Sequence, residues 1–410
     1  RDSIFKTKIR MKIGILTYHW VANFGANLQT LSTVCYLKKN GFIPIVINWI
    51  PLDCELKYQS STPVEQLDAH ASFSETYFET TRVCRTNNEI LDIIEEYEID
   101  AIIIGSDSLF NIMKPSFNWI KFKKNVPTTD HVFPNPYWGD FYEKHNIPIA
   151  GLSISNQNSD FFKFKNQKNE IKKCLMNFSH LSVRDDWTQK MIGYMTDDLI
   201  LPSITPDPVF SFNCNFPPLI SRQEICRKYS LPDKYILLSF SGGIRSSVSE
   251  HWLKSFKKMA NAQQISCVSL PRTFGGQIMH LDIDLSLPIS PIDWYYIIKY
   301  SQGYVGVLMH PIIVAIHNNI PFFSFDHYGV SKFLFFANKA TSKIYHILSQ
   351  AGMLSNYYNL RSCSCFPTPD YVFDCIMNFD HSLCADFASA QAEKCLLNYS
   401  SIIKSFYEKR

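Results

Sequence analysis

His310 carries the strongest chemical signal in the chain. It falls in Tyr304-Val-Gly-Val-Leu-Met-His310, where an apolar run with strand character passes into a helical pattern. A second apolar run follows and breaks at Asp326. A histidine at such a junction sits at the carboxyl edge of a parallel sheet, where ligands collect. Unpaired N–H groups at the helix start and the helix dipole favour an anion there. The same pattern also fits a plain βαβ core unit with a histidine at the bend.

Three further strand ends carry polar groups. In His19-Trp-Val-Ala-Asn-Phe-Gly-Ala-Asn-Leu-Gln29, Gly25 lets backbone approach a ligand, and Asn23, Asn27 and Gln29 offer neutral hydrogen bonds. A helix-capping loop would use the same residues. Gly105-Ser106-Asp107, with Asn111 beyond, puts a carboxylate after a buried strand, placed either as a base toward a sugar hydroxyl or as a turn cap. Arg184 in Ser182-Val-Arg-Asp185 can fork onto phosphate or carboxylate, or pair with Asp185, Asp186 or Asp207. Asp207, between two prolines, reads as a rigid turn residue. In the second half, Ser241-Gly242-Gly243 with Arg245, Arg272, His280, His310 and Lys332 supplies the glycine-rich backbone and cations a small polyanion needs. His317, two turns after His310, reads as a packing residue.

These groups need elements to hold them. Lys12 to Tyr18, a helical pattern from Ala26 to Asn40, and Ile43 to Trp49 form an opening βαβ unit. Pro51 to Thr86 reads as an insertion of loops and short helices. Strands are expected at 101–104, 148–154, 181–183 and 199–201, and a proline-marked linker at 202–218. The strand-helix alternation restarts at Tyr235. The expectation is an α/β protein of two Rossmann-like domains facing across a cleft, GT-B-like, spanning 11–205 and 206–380. A helix at 381–410 packs back on the first. The aromatic stretch Phe133 to Trp138 reads as a packed loop rather than a sugar platform.

Composition narrows the class. The chain has 410 residues, 46% apolar and 19% charged, with 31 Phe and 21 Tyr, enough for sizeable cores. Its formal charge of +3 and lack of a basic face give no reason to expect nucleic acid. The 12 cysteines show no zinc-type spacing and suit free thiols in a reducing cytoplasm. Arg1 to Arg10 lack a signal-peptide core, and Met11 before an apolar strand reads as a natural start. No run reaches the roughly 20 apolar residues that span a bilayer, so membrane contact is expected to be peripheral at most.

Taken together, these strings resemble the polysaccharide pyruvyl transferase family. Asn23-Phe-Gly-Ala-Asn-Leu-Gln29 is similar to its N-[YF]-G-A-x-L-Q signature, and Gly105-Ser-Asp107 with Asn111 to its G-S-D-Q-x-W-N segment. Ser182-Val-Arg184 and Asp207-Pro208 follow in the order of its S-x-R-E and D-P-T elements. His310, Pro321, Tyr328 and Lys332 match its late R-x-H…P…Y…K block. The resemblance implies transfer of the enolpyruvyl unit of phosphoenolpyruvate to a sugar of a surface-glycan precursor, free or lipid-linked, forming a pyruvate ketal. It implies no metal or organic cofactor, and a cytoplasmic site, at the inner membrane face for a lipid-linked acceptor. It makes His310 the phosphate ligand or acid, Asp107 the acceptor-side base, and Arg184 and Lys332 anion ligands. The other substrate contacts expected are Asn23, Gly25, Asn27, Gln29, Ser106, Asn111, Gly242 and Arg245.

The chain departs from the family pattern at one important place. The arginine of R-x-H should stand at 308, where this sequence has Leu308, with Val307 before it. Ser108 and Phe110 also replace the usual Gln and Trp. Loss of a desolvated bidentate clamp is worth about 2–5 kcal/mol. Arg245 or Arg272 would have to substitute from a neighbouring strand end. A nucleotide-sugar glycosyltransferase on the same scaffold, or a glycan-binding relative without turnover, is the alternative.

Overall fold

The computed structural model describes residues 10–118, 122–157, 159–217, 219–240, 248–275, 279–333, 336–361 and 365–409. Two parallel sheets carry the architecture. The first contains β1 (Lys12–Leu16), β2 (Ile43–Val46), β3 (Ala101–Asp107), β4 (Ile149–Ile154), β5 (His180–Val183) and β6 (Ser203–Ile204), in the order β2-β1-β3-β4-β5-β6. The second contains β7 (Tyr235–Ser239), β8 (Ser266–Ser269), β9 (Ile283–Asp284), β10 (Gly303–Gly306), β11 (Phe322–Asp326) and β12 (Tyr357–Asn359), in the order β9-β8-β7-β10-β11-β12. Helices cover both faces, so these strands are near-continuous apolar runs; every residue of β3 and β7 is buried.

In each sheet the chain winds out in one direction from its first strand and then in the other. The crevices at these reversals, β1/β3 and β7/β10, are where open α/β sheets bind ligands. Helix α1 (Phe24–Lys39) leaves the first crevice, started by the Asn23 side chain, which accepts from the Gly25 and Ala26 N–H groups. Asn40 and the left-handed Gly41 (φ 82°) stop it. Helix α2 (Val64–Tyr77) lies in the 51–86 insertion, and α3 (Asp186–Thr196) follows β5. Helix α4 (Met309–His317) leaves the second crevice, α5 (Lys343–Gln350) follows β11, and α6 (His381–Lys409) closes the chain.

One apolar core runs through the junction of the two sheets. It joins Phe24, Leu28 and Leu31 of α1 to Trp294, Ile312 and Ile313 of the second half, and to Tyr399 and Ile402 of α6. Phe24 and Trp294 stack at 5.0 Å. The Gln66 amide donates to the Ile289 carbonyl and accepts from the Ile289 N–H, both at 2.8 Å. On the opposite side, His346 of α5 meets Asp186 of α3 at 2.9 Å. Helix α6 packs back as expected, with Tyr399 stacked on Tyr36 and Asn398 donating to Ser182.

Two expectations need correcting. Leu199 and Leu201 are exposed and follow the left-handed turn at Asp197 and Asp198; the edge strand is Ser203–Ile204. The proline-marked segment is no solvated linker, because Val209, Phe210 and Phe212 are buried in the core and fold as helical turns. The 133–138 stretch is a packed loop, with Phe133, Tyr137 and Trp138 buried. Among the described residues, no helix is long and apolar enough to cross a membrane.

Buried neutral histidines give this fold a pH signature. Burial holds His19 and His70 down to about 4. In the unfolded chain both titrate near 6.5, so between about pH 6.5 and 4 the unfolded state binds protons that the native state does not. Stability should therefore fall as pH drops through that window. Urea midpoints at pH 7 and pH 5 check this, and equal midpoints would contradict it.

Candidate functional site

A cavity of about 500 Å³ lies where the two crevices face each other. Tyr18, Asn23, Gly25, Tyr58, Asp107, Ser108, His131 and Gln157 line it from the first half; Arg272, Leu308, His310, His327, Tyr328 and Lys343 line it from the second. Asp107 is the only carboxylate among the described lining residues.

Behind the cavity wall lies a buried charged hub. Asp207, which caps the turn at Val209, accepts from Arg184 Nη1 at 2.6 Å and Gln29 Nε2 at 2.5 Å. Its Oδ2 stands 3.8 Å from His310 Nε2. Burial works against the Asp207 anion, yet Arg184 and His310 beside it hold the carboxyl below its ordinary range. For Arg184, Asp207 and Asp107 outweigh the burial that opposes its charge.

The hub also sets the state of His310. A carboxylate only accepts, so Asp207 fixes the Gln29 amide with its nitrogen inward, and that nitrogen lies 3.3 Å from His310 Nε2. Nε2 is then the accepting nitrogen, and Nδ1 carries the proton of the neutral ring. Burial pushes His310 down to about 4, against the pull of Asp207 and Asp107. Lys343, the first residue of α5, is half-buried and brought down to about 8 by burial and then by Arg184.

The expected site residues divide into two groups. His310, Asp107, Asn23 and Gly25 line the cavity. Gly25 is required for a different reason than expected: a Cβ there would lie 2.0 Å from the His310 ring, so the glycine makes room for the imidazole rather than for a ligand. Asn23 lines the cavity with its side chain already engaged as the cap of α1. Asp107 also accepts from the Ser108 N–H at 2.6 Å, with φ at 138°, a region that costs a non-glycine residue about 1–3 kcal/mol and clusters at functional sites.

Asn27, Gln29, Ser106, Asn111 and Arg184 do not line the cavity and stand in supporting positions around it. Asn27 donates to the His19 carbonyl, and Ser106 to the Ser153 carbonyl. Asn111 holds Gln157 through its amide, and its carbonyl meets His131. Arg184 is spent on Asp207, and its Nη2 lies 3.8 Å behind Asp107. Gly242, Arg245 and the side chain of Lys332 lie outside the described residues. His280 is exposed and absent from the described lining. His317 packs as expected and accepts from the Asn213 N–H. At position 308 the cavity receives the apolar side chain of Leu308, which cannot cap α4.

Sequence reasoning passed over Lys343, His131 and His327, and underrated Asp207. Lys343 left one signal: a lysine at a helix start opposes the helix dipole, a placement that needs another reason.

Two parallel α/β sheets of this kind, with a cavity between their strand ends, define a GT-B architecture. Solved structures agree on the fold. UDP-GlcNAc 2-epimerase from Neisseria meningitidis bound to UDP-GlcNAc superposes at TM-score 0.56 and 10% identity, covering 97% of this chain and 100% of that one. S. aureus MnaA with UDP gives 0.52 at 12% identity, covering 98% of each chain. No curated protein matches the sequence significantly. The polysaccharide pyruvyl transferase family model matches residues 23–328, and the chain belongs to that family.

The hub predicts a stability effect. Asp207→Ala strands the buried Arg184 charge, which costs about 3–5 kcal/mol when one partner of such a pair is removed. Chemical denaturation of the two proteins measures it, and a loss below 1 kcal/mol would show that Arg184 finds water or another partner.

Proposed function

We propose that this protein transfers the enolpyruvyl unit of phosphoenolpyruvate to a sugar of a glycan precursor, forming a pyruvate ketal and releasing phosphate. The observation that carries the reading is His310, a half-buried neutral imidazole whose tautomer is set by Gln29 and Asp207. It shares the cavity with Arg272 and Lys343. Phosphoenolpyruvate brings a phosphate and a carboxylate to this cationic wall. Anions beside His310 and Lys343 raise both pKa values, and Asp207 at 3.8 Å favours the imidazolium that results.

His310 then gives a proton to the methylene carbon, and the adjacent carbon becomes an oxocarbenium-like centre. One sugar hydroxyl attacks it and loses its proton. Phosphate leaves, the second hydroxyl closes the ketal, and its proton goes to the released phosphate, which leaves as the monohydrogen dianion. Asp107, facing the same cavity, is the candidate acceptor for the first hydroxyl proton. It is held against this task by Arg184 behind it and by the Ser108 N–H. Tyr18, Tyr58, His131 and Gln157 form the wall toward the acceptor sugar. No metal or organic cofactor enters these steps.

Calorimetry tests the reading. At pH 8, near the Lys343 pKa of about 8, phosphoenolpyruvate binding should take up protons, seen as a heat that changes with the buffer's ionisation enthalpy. Lys343→Met should remove the Lys343 share of that uptake and leave the proton that His310 gains. His310→Ala should slow acceptor-dependent phosphate release by about 10²–10⁴-fold, the usual contribution of a general acid. Wild-type protein that ignores millimolar phosphoenolpyruvate but binds UDP would replace this reading with nucleotide-sugar transfer.

A further inference from the structure

Arg272 lines the cavity with no carboxylate partner among the described residues. It follows β8 directly, and its Nε and Nη2 are buried without a hydrogen-bond partner. The Arg184 guanidinium, by contrast, is tied to Asp207 at 2.6 Å. A desolvated charge without a partner is costly to a folded protein, and burial pulls Arg272 below its ordinary pKa. A folded chain keeps such a group where a ligand supplies the missing charge.

The local backbone is built to hold it. The Gly275 N–H donates to the Arg272 carbonyl at 3.0 Å, and Gly275 adopts φ 96°, which closes a tight turn that a side chain would strain. Within that turn Phe274 lies under the guanidinium, 5.5 Å from ring centroid to Cζ. An aromatic face fixes the plane of the fork while leaving its N–H edge for an anion. In the same cavity position 308, just before α4, offers the apolar Leu308 and no charge.

We propose that Arg272 is the residue that grips the phosphate of the donor, doing from the end of β8 what no side chain at position 308 can do. This rests on the donor assignment above. The division of labour follows from charge type. The guanidinium is a permanent cation with a planar fork and suits the divalent phosphate, whereas the Lys343 ammonium is a point charge and suits the carboxylate.

The test compares wild type with Arg272→Ala, Arg272→Lys and the double variant Arg272→Ala/Leu308→Arg. Calorimetry reads phosphoenolpyruvate, inorganic phosphate and pyruvate, and thermal melting reads stability. Arg272→Ala should weaken phosphoenolpyruvate and phosphate by about 100-fold or more and leave pyruvate within a few-fold, since a desolvated charge pair is lost. Arg272→Lys should recover only part of the affinity, and adding Leu308→Arg should restore most of it. Without ligand, Arg272→Ala should melt no lower than wild type, because it removes an uncompensated buried charge. An arginine with a merely structural role would do the opposite.

Wild type that binds phosphoenolpyruvate, with Arg272→Ala binding it within threefold, would overturn the assignment. So would selective loss of pyruvate. If wild type takes inorganic phosphate in an Arg272-dependent way but ignores phosphoenolpyruvate, the anion site stands and the donor reading falls. If wild type takes neither, both fall.

Discussion

The arrangement depends on one buried ion pair. Asp207 and Arg184 meet at 2.6 Å with both side chains out of water, and four separate parts of the chain converge on Asp207. Gln29 arrives from α1, Arg184 from the end of β5, His310 from α4, and Cys395 of α6 donates to the Asp207 carbonyl. Isolated charges in such a place would not survive; the pair holds because each side supplies what the other lacks. It is also directional, since the carboxylate dictates which way the Gln29 amide points and hence which imidazole nitrogen accepts. The constraint that joins the two halves therefore also sets the protonation of the central histidine.

Around that hub the cavity has two unlike walls. The second half contributes Arg272, Lys343, His310 and His327, while the first contributes aromatic and neutral polar groups with Asp107 alone as acid. Both walls lie at the reversals of strand order, where loops splay and leave a crevice. The anionic donor and neutral polyhydroxyl acceptor proposed for this protein match such a division. The interface that positions the walls is largely apolar and continuous with the core, so their separation is set by packing of α1, α4 and α6 rather than by the polar groups themselves.

Gly25 and Leu308 show how one family pattern can hold different physics at each position. Gly25 is constrained by the His310 ring, which fills the space any Cβ would need. Leu308 removes a charge from the cavity while leaving the strand, helix and histidine around it in place. Positions 272 and 308 open onto the same cavity, so a cation at either can meet the same ligand.

The sequence by itself determined the elements and their grouping. Short apolar runs broken by glycine or polar residues read as buried strands, as at Ala101–Asp107 and Tyr235–Ser239. The long helical pattern near the C-terminus read as a packed helix, and the sequence put His310 at a strand-to-helix junction. The family strings were likewise legible, because they are local. Tertiary structure alone decided which polar residues face the cavity. The sequence left Arg184 free to pair with Asp185, Asp186 or Asp207, and only the fold selects Asp207 and brings the distant Gln29 to it behind the wall. Lys343 and His131 carry no local motif at all. Pairing between distant residues depends on how the halves dock, and docking is set by side-chain packing that no single stretch of sequence contains.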